Sequence, residues 1–139
     1  MYHIERLTAP NRLQLAEIIE LYRAEGWWWK DEQHLDVAEK IVLGSYRFLT
    51  AISHDKIIGM ARVISDGVSD AYIQDVAVIE KMRGHGIGSA LVETLIGELK
   101  DAGISWIGLI AQGGSHPLYH RLGFAPMINA VPMIYLAGE

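Results

Sequence analysis

Cysteine is absent from the 139 residues, which excludes disulfides, a thiolate nucleophile and a cysteine metal site. Bases are in the minority, with 12 Lys and Arg against 17 Asp and Glu and a net charge of −5. That balance argues against general nucleic-acid affinity; it favours a cationic or neutral substrate, or simply solubility. No apolar stretch is long enough for a membrane span, and the start Met1-Tyr2-His3-Ile4-Glu5-Arg6 is unlike a signal peptide. A cytoplasmic protein with no membrane partner is the expectation. Internal repeats, low-complexity tracts and linkers are also missing. What is present is apolar material: half of the residues are hydrophobic, enough for a real core in one domain spanning 1–139.

Periodicity and turn residues set the expected order. Tyr2 to Leu7 reads as a strand. Pro10 and Asn11 open a helix carried by Leu13, Leu15, Ile18, Ile19, Leu21 and Tyr22, and Gly26 ends it. Val37, Ala38, Ile41 and Val42 suggest a second helix stopped by Gly44. Tyr46 to Ile52 and Lys56 to Ile64 form a hairpin about His54-Asp55. After a turn at Asp66-Gly67, Ala71 to Ile79 is a strand. A long helix runs from Ile87 to about Leu99, and Ser105 to Ala111 is a strand. Pro117 suits the first turn of a short helix, followed by two short strands, Phe124 to Met127 and Pro132 to Leu136. Such an order predicts an α+β fold, with a mixed, mostly antiparallel sheet and helices on both faces.

The stretch Arg83-Gly84-His85-Gly86-Ile87-Gly88-Ser89 lies between a strand and a helix. Glycines there free the backbone and let a ligand approach, and a helix N-terminus offers unpaired amides and a positive dipole end. Arg83 adds a permanent charge. The arrangement suits a diphosphate. It is not a Walker loop, because no lysine precedes Ser89. Nor is it a dinucleotide fingerprint, because the spacing is G-x-G-x-G and the loop comes past mid-chain.

These residues resemble the GNAT N-acetyltransferase superfamily. Arg83, Gly86 and Gly88 match its Gln/Arg-x-x-Gly-x-Gly/Ala loop, and Asp75-Val76-Ala77-Val78 matches the strand that precedes it. Leu118-Tyr119-His120-Arg121-Leu122-Gly123-Phe124 matches a second signature, ending in Leu-Gly-Phe. The resemblance is specific from about Ile57 to Phe124. It implies acetyl-CoA as co-substrate, no metal, and a small-molecule or peptide amine as acceptor. It further implies that Arg83, Gly84, His85, Gly86, Ile87, Gly88 and Ser89 hold the diphosphate. Val76, Ala77 and Val78 would then pair with the pantetheine arm like an added strand, leaving the strand from Ser105 to splay away. Gln112 stands where many members carry a cofactor-touching Asn, and Tyr119 occupies the position of the catalytic acid. A backbone amide near Val76 or Val78 would serve the oxyanion.

The general base is not evident. Tyr72 and Gln74 stand where some relatives carry a base, and neither is one at pH 7. Asp75 qualifies only if its face lines the cleft, and Glu25, Asp31, Glu32 and His34 read as surface groups. A water-mediated base is the expectation. Among Trp27, Trp28 and Trp29, one or two rings would anchor the loop, and Trp28 or Trp29 could line the acceptor pocket with Tyr72 and Gln74. An exposed ring could equally serve a homodimer interface. His116 and His120 have metal-ligand spacing but no third ligand in view. An acyl-CoA-binding sensor without catalysis is the alternative to an enzyme.

Overall fold

The computed structural model describes residues 1–28 and 34–137. Their contacts divide the chain into two compact units, Met1–Leu109 and Ile110–Glu139. In the first unit the order is β1 (His3–Arg6), α1 (Arg12–Ala24), α2 (Leu35–Gly44), β2 (Arg47–Ser53), β3 (Lys56–Ser65), β4 (Asp70–Val78), α3 (Ile87–Asp101) and β5 (Trp106–Gly108). The second unit contains α4 (His116–Arg121).

The strands form one sheet in the order β1-β2-β3-β4-β5, antiparallel throughout except for the parallel β4–β5 pair. Two adjacent left-handed residues, His54 (φ 50°) and Asp55 (φ 62°), close the β2–β3 hairpin. Positive φ at both central positions is what a two-residue turn needs to follow the strand twist.

Helices cover both faces. Ile18, Ile19 and Tyr22 of α1 pack with Phe48, Ile57, Met60 and Ala77. Gly59, one residue before Met60, lies against Ile87 and Leu91 of α3 at a distance only a glycine permits without displacement. Successive strand residues face opposite sides, so α1 and α3 sandwich the sheet. Ile87, Leu91, Leu95 and Leu99 bury the inner stripe of α3 at helical spacing.

Three expected strands differ. The Ser105–Ala111 strand is paired only over Trp106–Gly108. Phe124 to Met127 and Pro132 to Leu136 form no strand among the described residues. Met127, Ile128, Val131, Met133, Ile134, Tyr135 and Leu136 are all exposed there. A strand exists only against a partner, and Pro126 and Pro132 each remove a ladder donor from this stretch.

Candidate active site

The β3–β4 register slips within β4. Arg62 pairs with Gln74 and Met60 with Ala77, so Asp75 and Val76 together face the single residue Ala61. Two residues against one is a β-bulge, which interrupts the ladder and bends the strand. Asp75 sits in the left-handed region at φ 56°. An L-residue there costs about 1 kcal/mol, least for Asn and Asp.

The Asp75 side chain is held from two directions. Tyr22 of α1 donates its hydroxyl to Oδ2 at 2.7 Å, and Arg62 Nε donates to the same oxygen at 2.6 Å. Arg62 also reaches Gln74 Oε1 and Ser45 Oγ, each at 3.4 Å. Burial pushes the Tyr22 phenol well above its usual range, and the Asp75 charge adds to the shift, so Tyr22 is a fixed donor. Tyr22 and Arg62 were not candidates from sequence. They lie 53 and 13 residues from Asp75, and only the slipped register and the packing of α1 bring them to it.

Past Tyr72 the outer edge of β4 has no strand partner among the described residues. β5 pairs only with Asp70, Ala71 and Tyr72, so residues Ile73 to Val78 lie past the end of that ladder. The parallel strand therefore splays from β4 at the start of the Asp75-Val76-Ala77-Val78 segment.

The chain then passes through a short 3-10 turn, Glu80–Met82, into the glycine loop. Gly84 (φ 82°) and Gly86 (φ 80°) use left-handed backbone, and a Cβ on either would point into open space. Gly88 lies inside α3, where its role is not a special dihedral. Gly86 caps α3 without any side-chain hydrogen bond, and the first helical bond runs from Ala90 N to Gly86 O at 3.0 Å. The amides of Ile87, Gly88 and Ser89 thus have no helical acceptor. Arg83 is braced at the loop's entrance. Its Nε donates to Val78 O at 3.0 Å and its Nη2 to Glu25 Oε2 at 2.9 Å. His85 is exposed, its Nδ1 3.1 Å from Arg83 O.

Tyr72 and Gln74 are exposed on β4, and the Tyr72 ring lies 5.1 Å from that of Trp106. Trp28 stacks on Tyr22 with ring centroids 4.2 Å apart, and His34 meets Trp28 edge-on at 5.1 Å. Trp28 thereby stands beside the Tyr22–Asp75 pair. Trp27 leans edge-on against Tyr22 at 6.0 Å. Trp29, Asp31 and Glu32 lie outside the described residues. Glu25 is the C-cap of α1 and is taken up by Arg83.

In the second unit, Gln112 is exposed and its carbonyl accepts from Ser115 N at 3.1 Å. Tyr119 is buried at 9 % exposure, its ring edge-on to Phe124 at 5.9 Å. Burial raises its pKa, so the phenol is neutral at physiological pH. His120 Nδ1 lies 2.9 Å from Phe124 O, and no cluster of three metal-binding side chains occurs among the described residues.

A model of the Acetyltransferase (GNAT) family matches residues 15–124. The chain is 31 % identical over 121 residues to the uncharacterized N-acetyltransferase ycf52 of Pyropia yezoensis, covering 85 % of this chain and 68 % of that protein. A GNAT-family acetyltransferase of Streptococcus pneumoniae superposes with a TM-score of 0.81 at 23 % identity, over the whole of both chains. A predicted acetyltransferase of Clostridium acetobutylicum, solved with acetyl-CoA, superposes at 0.71 with 18 % identity over 96 % of each chain.

Proposed function

The chain belongs to the GNAT acetyltransferase family, and on that premise we propose that it transfers the acetyl group of acetyl-CoA to a primary amine by direct attack on the thioester. One observation carries this reading. The free edge of β4 past Tyr72 leads straight into a loop whose helix, α3, begins with unclaimed amides. An extended pantetheine arm needs a strand edge, and a diphosphate needs amide donors without competing side chains. The open space at Gly84 and Gly86 fits close approach of that group.

On this reading each residue has its own task. Ile87, Gly88 and Ser89 offer amides to the diphosphate, and Arg83 supplies positive charge. Val76, Ala77 and Val78 offer backbone groups to the pantetheine, and an amide at the bulge receives the oxyanion. The amine nitrogen bonds to the acetyl carbon, the carbon–sulfur bond breaks, and the sulfur takes a proton, the task that the family signature around Tyr119 assigns to its phenol. The phenol suits that task because its ring is buried and burial keeps it protonated. Water removes the amine proton, because Tyr72 and Gln74, which stand where some relatives carry a base, are not bases at pH 7. The uncharacterized N-acetyltransferase of Pyropia yezoensis lends the amine its support. The chain spans about two thirds of that relative's length.

The test is release of free thiol from acetyl-CoA across small alkylamines, arylalkylamines, peptide N-termini and lysine peptides. Turnover with at least one amine is expected, and Tyr119→Phe should lower kcat about 100-fold while leaving the affinity for acetyl-CoA within about twofold. Tight acetyl-CoA binding with no turnover on any amine would replace the enzyme by an acyl-CoA sensor.

A further inference from the structure

We propose that Asp75 is a positioning residue whose clamp, Tyr22 and Arg62, holds the β4 bulge in the form that acetyl transfer requires. The inference rests on the acetyltransferase reading above and adds to it a cause for the bulge. A bulge needs one residue in an unusual dihedral, and here that residue is an aspartate at φ 56°, not a glycine. Local preference would draw an aspartate back towards extended backbone and re-aim the peptide that follows it. Its carboxylate is kept from doing so by two donors on different elements. Tyr22 OH reaches it from α1 at 2.7 Å, and Arg62 Nε from β3 at 2.6 Å. Neither donor is free to drift. The Tyr22 ring is stacked on Trp28 and 3 % exposed, and the Arg62 side chain is 15 % exposed. Both bonds converge on Oδ2, so that oxygen is anchored between α1 and β3.

The bulge carries Val76, whose backbone faces no partner of its own on β3, where Ala61 is shared with Asp75. On the outer side β5 has already ended. Asp75 and Val76 thus share one β3 partner and lie past the β5 ladder, and the Val76 amide takes its direction from the dihedrals of Asp75. A donor aimed at a developing oxyanion must be held within a fraction of an ångström to be effective. The Tyr22–Asp75–Arg62 clamp supplies that rigidity. Trp28 rests on the same Tyr22 ring and helps to hold it in place.

Two side-chain properties can be separated at this position. Asparagine tolerates the left-handed region and keeps an oxygen for Tyr22 and Arg62, but it is not a base. Alanine keeps neither the dihedral preference nor the clamp. Wild type, Asp75→Asn, Asp75→Ala and Tyr22→Phe are compared with the best amine of the panel. Positioning predicts that Asp75→Asn stays within about threefold of wild-type kcat and keeps the acid limb of the pH–rate profile. Asp75→Ala should lose about 10- to 100-fold in kcat with the KM for acetyl-CoA little changed. Tyr22→Phe, which retains the stacked ring, should fall between them. A loss in Asp75→Asn as large as in Asp75→Ala, with the acid limb gone, would make Asp75 the general base and overturn the proposal.

The bulge is also read without turnover. In amide NMR spectra the Val76 resonance should move in Tyr22→Phe, a change 53 residues from Asp75 in sequence that removes one donor of the clamp. An unmoved Val76 amide in a folded Tyr22→Phe protein would overturn the clamp whatever the activity. Absence of wild-type turnover would instead count against the acetyltransferase reading, and the NMR comparison would still decide on the clamp.

Discussion

Gly84, Gly86 and Gly88 look alike in the sequence and do different work. Gly84 and Gly86 supply left-handed dihedrals at φ 82° and 80°, whereas Gly88 takes an ordinary helical conformation inside α3. At Gly86 a side chain would be penalised twice, once by the dihedral and once by filling the open space in front of α3. Gly86→Val should therefore raise the Kd for acetyl-CoA by at least about 10-fold, with the backbone term alone costing about 1–2 kcal/mol. Titration calorimetry against a far-UV spectrum that stays native checks it, and wild-type affinity in this variant would remove the diphosphate from the loop. Arg83 was legible as a charge near the loop, but its partners were not. Its bonds to Val78 O and Glu25 join positions 5 and 58 residues away. The same holds for Asp75: the sequence places an acid on β4, and only the packing of Tyr22 and Arg62 shows that the acid is spoken for.

The two long helices begin in opposite ways. α1 opens on a full capping box, with Asn11 Oδ1 accepting from Gln14 N at 2.8 Å and Gln14 Oε1 accepting from Asn11 N at 2.9 Å. α3 opens on Gly86 with no side-chain cap at all. One N-terminus is closed for stability and the other is left open. Asn11→Ala should thus cost about 1 kcal/mol and lower Tm by about 3–5 °C. Calorimetry with and without acetyl-CoA checks it, and the ligand-induced increment should be unchanged because α1's cap takes no part in binding. Helices, hairpin and β4 were readable because each is written in local periodicity and turn residues. The bulge was not, because a register slip is a property of two strands: nothing in Gln74 to Ala77 alone shows that Asp75 and Val76 share one partner. The length of β5 was misjudged for a related reason. Ser105 to Ala111 is uniformly suited to a strand, but the ladder stops once β4 and β5 diverge after Tyr72 and Gly108.

At the scale of the molecule, apolar patterning announced the core of the first unit well. Ile18, Phe48, Met60, Leu91, Leu95 and Leu99 are all essentially inaccessible. Patterning failed at the C-terminal end, where the run from Met127 to Leu136 is apolar yet exposed. Hydrophobicity says that a segment can be covered; it does not say by what. The open features of the first unit make a prediction that needs no acceptor. A ligand that binds only the folded state stabilises it by about 2.7 kcal/mol at 100 times its Kd. For a chain of this length that corresponds to a Tm rise of about 10 °C. Thermal unfolding should show this rise with acetyl-CoA. Unacetylated CoA should give nearly the same increment, because the diphosphate and pantetheine are common to both and engage the loop and the β4 edge. Inorganic phosphate at the same concentration should give none, since it can use the α3 amides but not the strand edge. Equal stabilisation by phosphate would reduce the site to a simple anion cradle. A shift with acetyl-CoA that CoA fails to reproduce would move the main binding energy to the acetyl group, away from the loop and the free edge of β4.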